Sequence, residues 1–234
     1  MHESACHDKS VFFTMTYAEE NLPIGNSLLK SDPQKFYKRL RRNLSKVDPD
    51  RKIKHFTSGE YGQKFGRAHY HSIIFGLGQE DHDLLDKSWG LGLTESDPVN
   101  ESTCAYVAGY IQKKLSGPIA EQVYMGRQPP FQLNSNGLGK TFILNNAEQY
   151  DQMGYLTQYG VKYGLPKYYR DLMGFDSDRA KAYADEEHQK QVEFFAEMGL
   201  DYYDPEAVRM RVESREQTEK NIAARQGLFE KPKI

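Results

Sequence analysis

The sequence contains few cysteines and no long apolar run, and both absences narrow the class of protein. Its 234 residues include two cysteines, Cys6 and Cys104, which are too few for a disulfide framework or a four-cysteine zinc site. No apolar run approaches the roughly 20 residues of a membrane-spanning helix. The N-terminus also lacks the basic and apolar regions of a signal peptide. We therefore expect a protein of the reducing cytoplasm.

The chain also has little net charge, −2 at pH 7, but that charge is unevenly distributed. Residues 171–234 contain 15 acidic and 10 basic side chains, whereas residues 30–54 contain ten basic and three acidic ones. A local positive excess of this size can follow a nucleic-acid phosphate backbone. It is also typical of a solvated helix face, and the charge pattern alone leaves both interpretations open.

The order of predicted elements indicates an α+β fold with a mainly antiparallel sheet. Runs of β-branched and aromatic residues predict strands at 11–17, 52–60 and 68–75, and a short strand is expected at 142–144. Apolar periodicity and end signals predict helices at 33–45, 81–89, 102–115, 178–198 and 205–226. Asp32 is the expected cap of the first helix, with Pro33 at its first position. We expect one domain at 1–170 and a charged, mostly helical extension at 171–234.

Two histidines form the first candidate site. His69 and His71 are two residues apart on a predicted strand, so their side chains point to the same side. Glu60 ends the preceding strand, and an antiparallel hairpin can bring its carboxylate beside them. Two imidazoles and one carboxylate leave open positions on a divalent ion, and this set suits Mn²⁺ or Mg²⁺. The alternative is that both histidines are ordinary strand residues with polar partners. His55 has the opposite parity to Glu60 and should face away.

Two tyrosines form the second candidate site. On a helical wheel of about 100° per residue, Tyr106 and Tyr110 lie on one side, with Lys113 beside them. The apolar face is a different one, and it consists of Cys104, Val107, Ala108, Ile111 and Leu115. A free tyrosine has a pKa of about 10, so it attacks a phosphodiester only if it is deprotonated and the phosphate is polarised by a metal. Lys113 could stabilise the phenolate or the phosphoryl charge.

Together, these segments resemble the HUH endonucleases, and in particular the replication initiators of Microviridae phages of the gokushovirus type. The resemblance spans about residues 10–170, and its ordered motifs are more specific than any one of them. They are residues 13–17 (FTMTY) with 22–23 (LP), 58–62 (SGEYG), 66–71 (GRAHYH) and 105–114 (AYVAGYIQKK).

The resemblance implies a ferredoxin-like sheet, a divalent metal and a tyrosine that nicks single-stranded DNA at a replication origin. His69, His71 and Glu60 would be the metal ligands, with Tyr106 and Tyr110 as nucleophiles and Lys113 as the supporting cation. Nicking would leave a 3′-hydroxyl and a 5′-phosphotyrosine, start rolling-circle replication and allow later rejoining. Gly109 stands where the family usually has a basic residue, which favours Tyr110 for the first attack. The candidate DNA contacts are Lys38, Arg39, Arg41, Arg42, Arg67 and Lys114.

Two other interpretations remain open at this point. The same chemistry could belong to an HUH transposase or relaxase, or the chain could be a non-catalytic DNA-binding module that depends on its basic segment. For the replication initiator we also expect a host helicase and polymerase as partners, because a helicase domain does not fit in the remaining length. The segment at 139–141 (GKT) resembles the end of a phosphate-binding loop, but Asn134 stands where that loop needs its first glycine, so ATPase activity is not expected.

Overall fold

The computed structural model describes residues 1–62, 65–112, 118–158, 161–175 and 177–227. The chain forms two compact units, Met1–Gly139 and Lys140–Ile234. The domain boundary expected after residue 170 stays a prediction. Among the described residues, no helix combines the length and the apolar character needed to cross a bilayer.

The first unit is built on a five-stranded antiparallel sheet, as the α+β prediction required. Its strands are β1 (Ser10–Met15), β2 (Lys54–Tyr61), β3 (Ala68–Phe75), β4 (Thr94–Pro98) and β5 (Phe131–Asn134). Their order across the sheet is β4-β1-β3-β2-β5. The helices of this unit are α1 (Ser31–Val47), α2 (His82–Trp89), α3 (Glu101–Gln112) and α4 (Pro118–Tyr124). The predicted hairpin is therefore the centre of the sheet, while the sequence analysis did not predict β4 and β5.

Helix α1 covers one face of this sheet. Val11, Phe13 and Met15 of β1 are fully buried because alternate side chains point to the same face. They join Phe36 and Leu40 of α1 in the larger of two hydrophobic clusters. Each fully buried side chain of this size contributes about 1.5–3 kcal/mol. This cluster holds the helix and the three central strands together.

Helix α3 belongs to the other face. The residues between those of the first cluster, including Phe12 of β1 and Ile73 of β3, form a second, smaller cluster with Val107 of α3. Val107 is fully buried, whereas Ala108 is exposed. The buried face of α3 is thus narrower than predicted, and placing Ala108 on it was wrong.

Two details of the sequence analysis were also wrong. Residues 142–144 lie in a helix, α5 (Lys140–Asn145), rather than in a strand. Short apolar runs do not distinguish a strand from a buried helix turn. Helix α1 begins at Ser31 with Lys30 before it, so Asp32 is not its cap. The Asp32 carboxylate instead accepts a hydrogen bond of 2.8 Å from the Tyr17 hydroxyl inside the protein.

The second unit is mostly helical. After α5 it contains α6 (Ala147–Met153), a hairpin of β6 (Tyr155–Gln158) and β7 (Val161–Gly164), α7 (Lys167–Met173), α8 (Ser177–Glu197) and α9 (Pro205–Gly227). The two long helices match those predicted at 178–198 and 205–226. Near their connection, Arg211 of α9 lies 3.7 Å from the centre of the Tyr202 ring and donates a hydrogen bond to the Tyr202 carbonyl.

Candidate metal centre and tyrosine helix

The β2–β3 hairpin brings the three predicted metal ligands together on one face of the sheet. Its register pairs Glu60 with His69 and Ser58 with His71. Residues directly opposite each other in an antiparallel pair point to the same face, and so do residues two positions apart. Glu60, His69 and His71 therefore converge because of the strand pairing, as their spacing predicted.

The ligand atoms of this group lie close enough to share one ion. Nε2 of His69 and Nε2 of His71 are each 2.9 Å from Oε1 of Glu60. All three ligand atoms lie within 4.8 Å of one another. Glu60 is 5% exposed and His71 is 7% exposed, so little solvent surrounds the group. No other cluster of three such groups occurs in the part of the chain that the structure describes.

The second ring nitrogen of each histidine also has a partner. Nδ1 of His69 lies 3.0 Å from the backbone carbonyl oxygen of Arg67, and Nδ1 of His71 lies 3.1 Å from the Thr14 hydroxyl. Metal-ligating histidines usually use their other nitrogen in this way, which fixes the orientation of the ring. Both rings thus present Nε2 to the centre of the group.

The charges of the group follow from burial and from mutual contacts. Burial by itself would raise the pKa of Glu60, but contacts with His69 and His71 outweigh it and hold this pKa below its usual range. Burial opposes protonation of His69, but its hydrogen bond to Glu60 and the charge of that carboxylate raise its pKa overall. Burial lowers the pKa of His71, the charge of His69 adds to that effect, and Glu60 only partly offsets it.

Hydrogen-bond partners explain why the two histidines differ. Nε2 of His69 faces a carboxylate and its Nδ1 faces a carbonyl, and both of these groups only accept hydrogen bonds. His69 satisfies both only as an imidazolium with two N–H donors. His71 faces a hydroxyl at Nδ1, which can donate, so one proton on Nε2 is sufficient. Without an ion, the group is therefore a neutral His71, a protonated His69 and an ionised Glu60.

This donor set fits a divalent cation. Two neighbouring ligands of an octahedral ion with bonds of about 2.1 Å lie about 3 Å apart, close to both nitrogen–oxygen distances of 2.9 Å. Two imidazoles and one carboxylate suit Mn²⁺ and other transition metals, while the carboxylate also accepts Mg²⁺. Three protein ligands leave coordination positions for a substrate.

Tyr106 lies next to this centre. The centroid of its ring is 5.1 Å from that of His71 and 6.2 Å from that of Phe12, both in edge-to-face geometry. Its side chain is 45% exposed, so it remains accessible to a ligand from solution. Tyr110 follows one turn later in α3, but its side chain lies outside the described residues, as do Lys113 and Lys114. The sequence-based preference for Tyr110 stays a prediction.

The basic residues of α1 are not part of this site. Helix α1 packs on the face of the sheet opposite to Glu60 and the two histidines. Lys38, Arg41 and Arg42 point to solvent. The Arg39 guanidinium instead donates hydrogen bonds to the backbone carbonyls of Ser88 and Trp89 at the end of α2, at 2.7 and 2.9 Å.

Arg67 lies nearer to the metal candidates than any residue of α1. Its guanidinium donates hydrogen bonds to Glu19 at 2.7 Å and to the Tyr17 carbonyl at 2.9 Å. Its own carbonyl oxygen faces His69. Like the α1 residues, Arg67 stays a predicted DNA contact.

The sequence analysis did not identify Thr14 and Phe12 as site residues. The Phe12 ring stacks on His71 at a centroid distance of 5.4 Å and an interplanar angle of 12°. Thr14 pairs with His71 across the β1–β3 register. The available signal was the alternation of β1 residues, which places 12 and 14 on one face. That signal does not say which residues of another strand lie opposite.

Comparison with known proteins gives the context of this site. Residues 10–115 match the family described as replication-associated protein ORF2. Over 192 residues the chain is 28% identical to replication-associated protein ORF4 of Chlamydia phage 1, which covers 73% of this chain and 47% of the relative. It is 31% identical over 192 residues to replication-associated protein VP4 of Bdellovibrio phage phiMH2K, covering 73% of this chain and 59% of the relative.

The chain therefore spans about half the length of these two curated relatives. No solved structure matches it. The matched residues 10–115 include Glu60, His69, His71 and the described part of α3. The resemblance to Microviridae replication proteins is thus confirmed, and residues 10–115 place this chain among the relatives of the phage replication-associated proteins of the ORF2 family.

Proposed function

We propose that this chain is a phage replication initiator that nicks single-stranded DNA at an origin by metal-dependent tyrosine transesterification. The observation that supports this most directly is the contact between the Tyr106 ring and His71, within a group of three converging metal ligands. A nucleophile beside a divalent-metal site is the arrangement that phosphodiester transfer requires.

The proposed roles follow the geometry of the site. Glu60, His69 and His71 hold a divalent ion, Mn²⁺ or Mg²⁺, through Oε1 and the two Nε2 atoms. When bound, the ion polarises the scissile phosphate and neutralises part of its developing charge. Tyr106 or Tyr110 loses its hydroxyl proton and attacks phosphorus, so that a bond forms from tyrosine oxygen to phosphorus and the bond to O3′ breaks. The O3′ leaving group takes up a proton and becomes the 3′-hydroxyl. The reverse reaction rejoins the strand.

The remaining predicted residues have supporting roles in this proposal. Lys113 stabilises the phenolate or the transferring phosphoryl group. Lys114 and Arg67, with Lys38, Arg39, Arg41 and Arg42 of α1, contact the DNA backbone. A host helicase and polymerase extend the 3′-end in the cytoplasm of the host bacterium, and the extension at 171–234 lies outside the nicking domain at 1–170.

A covalent-adduct assay tests this proposal. The protein is incubated with single-stranded origin DNA and Mn²⁺, and denaturing gels are used to detect protein joined to a 5′-phosphate. We expect an adduct with the wild-type chain, none with the Tyr106→Phe/Tyr110→Phe double variant and none with His71→Ala. Each single tyrosine variant then shows which hydroxyl attacks first. A full-strength adduct in the double variant would exclude the mechanism.

The position of α1 favours a second candidate, a DNA-binding module that needs no metal. Three basic residues of α1 are exposed on the face away from the metal candidates, so they can contact DNA independently of them. This function predicts strongly salt-dependent binding that His69→Ala leaves unchanged, and no cleavage. An HUH transposase or relaxase would be recognised by cleavage of a transposon end or transfer origin rather than of a phage origin.

A further inference from the structure

We propose that Thr14 is a positioning residue for metal binding, whose hydroxyl holds the His71 ring and adapts to the change in its tautomer when an ion binds. This inference rests on the metal centre of the proposed function. Thr14 lies on β1, outside the hairpin that supplies all three ligands, and does not itself belong to the candidate ligand group.

The structure fixes the position of the His71 ring from several directions. Thr14 lies directly opposite His71 in the β1–β3 pairing, and its Oγ1 is 3.1 Å from Nδ1. Phe12 stacks on one face of the ring, and the edge-to-face contact with Tyr106 is a further boundary. If the ring flipped about its axis, Nδ1 would lose Thr14 and Nε2 would move away from Glu60. The hydroxyl thus holds the ring at the nitrogen that is not the ligand atom.

The chemistry of the hydroxyl distinguishes His71 from His69. A carboxylate only accepts hydrogen bonds, so the proton of a neutral His71 lies on Nε2, 2.9 Å from Glu60. Nδ1 then accepts a hydrogen bond from the Thr14 hydroxyl. With an ion on Nε2, the single ring proton must be on Nδ1, and the Thr14 oxygen accepts it. A hydroxyl serves both states, and the ring carries one proton in each.

His69 has no such freedom. Its Nδ1 faces the Arg67 carbonyl, which accepts in every state, so this nitrogen keeps its proton with or without an ion. The two ligands are therefore oriented by different means, a fixed acceptor for His69 and a reversible partner for His71. Valine at position 14 would keep the branched shape of threonine but provide neither donor nor acceptor. Serine would keep the hydroxyl.

Two measurements on the full chain test this inference. The first is a Mn²⁺ titration followed by electron paramagnetic resonance, which gives the dissociation constant without any cleavage assay. Loss of an outer partner of a metal-bound histidine typically weakens binding about 10–100-fold, and we expect this for Thr14→Val, with Thr14→Ser close to wild type. Thr16→Val is the matched control, because the Thr16 hydroxyl donates to the Leu93 carbonyl instead of to a ligand residue.

The second measurement is the ¹⁵N chemical shift of the His71 ring. We expect the proton on Nε2 in the metal-free wild type and on Nδ1 after addition of Mg²⁺, with the metal-free preference weakened in Thr14→Val. This assay reads the Thr14–His71 contact even if a variant binds metal poorly. Circular dichroism and thermal melting establish that each variant is folded, and Thr14→Ala replaces Thr14→Val if the latter is not.

The outcomes separate this inference from the proposed function. Unchanged Mn²⁺ affinity in Thr14→Val, or a metal-free wild type with the proton on Nδ1, would overturn the role of Thr14 while DNA nicking could still be observed. Equal weakening by Thr14→Ser and Thr14→Val would reduce the contact to packing and also overturn it. A wild-type chain that binds no Mn²⁺ would remove the metal centre itself. Binding with the expected variant pattern but no nicking would leave the inference standing and refute the endonuclease.

Discussion

At the scale of single residues, His55 and His71 show how strand parity separates two buried histidines. His71 lies with Glu60 on the face of α3, whereas His55 stacks on Tyr37 of α1 with ring centroids 3.6 Å apart. Its Nδ1 lies 3.1 Å from the Thr57 hydroxyl. The prediction that His55 faces away from Glu60 is therefore confirmed. Burial, assisted by the charge of Arg41, lowers the pKa of His55 to about 4.

This shift predicts that acid destabilises the protein through His55. The unfolded chain binds a proton at His55 near pH 6.5, whereas the folded chain does so only near pH 4. The stabilisation is therefore complete above pH 6.5, declines as the pH falls and is lost below pH 4. It amounts to up to about 3 kcal/mol. Urea unfolding of wild type and His55→Phe between pH 7 and 4 measures it, and parallel pH profiles of the two proteins would contradict the prediction.

Gly109 is a second residue with a measurable consequence. A Cβ atom added there would meet nothing within 4 Å, and glycine in a helix costs about 0.5–1 kcal/mol relative to alanine. Gly109→Ala should therefore increase the free energy of unfolding by about that amount in urea titrations. Gly92→Ala is the contrasting control, because its Cβ would lie 2.3 Å from the backbone nitrogen of Ala18. Destabilisation by both substitutions would refute the open space at 109.

At the scale of elements, α1 combines a buried face, a structural clamp and an exposed basic surface. Phe36 and Leu40 are buried, Arg39 binds the carbonyls at the end of α2, and Asn43 donates to the Ser88 hydroxyl. The basic run from 38 to 42 is thus not uniform. The sequence shows the charges, but only the neighbouring helix determines which of them is occupied.

This difference predicts opposite phenotypes within one helix turn. Arg39→Ala leaves two carbonyls of α2 without their charged donor and should cost about 1–3 kcal/mol of unfolding free energy. Arg42→Ala should change stability by less than about 0.5 kcal/mol but weaken binding of single-stranded DNA in a salt-dependent manner. Thermal unfolding and fluorescence anisotropy at several salt concentrations measure both effects. Equal losses of stability in the two variants would contradict the clamp.

The elements that could be predicted are those defined by neighbouring residues in the chain. The hairpin of β2 and β3, the helices at 31–47 and 82–89 and the two long C-terminal helices follow from alternation, periodicity and end signals. Strands β4 and β5 were missed because they are only five and four residues long. Residues 142–144 were assigned to the wrong element because three apolar residues satisfy both periodicities.

At the scale of the whole molecule, every described residue of the candidate metal centre belongs to the unit Met1–Gly139. Glu60, His69 and His71 lie on adjacent strands that exist only in the folded chain. An ion held by these residues binds the native state and not the unfolded one. Binding of this kind must raise the stability of the protein in proportion to the logarithm of the ligand concentration once the site is saturated.

Metal should therefore protect the protein against unfolding. At a Mn²⁺ concentration of 100 times the dissociation constant, the expected gain is about 2.7 kcal/mol, and EDTA should remove it. Glu60→Gln should abolish most of the gain, because a neutral carboxamide replaces the anionic ligand. Glu20→Gln, which alters an exposed carboxylate outside the ligand group, should leave it intact. Thermal melts with and without Mn²⁺ test this, and equal protection of Glu60→Gln and wild type would exclude the site.

By itself, the sequence determined that Glu60, His69 and His71 converge, because the nine residues from Glu60 to His69 close a hairpin and side chains alternate along its strands. The tertiary structure decided what surrounds them. Thr14 meets His71 from 57 residues away, Tyr106 reaches it from a helix on the same face, and α1 carries its positive charge on the other. Alternation is local and can be read along the chain, whereas strand order and helix placement depend on packing between distant segments.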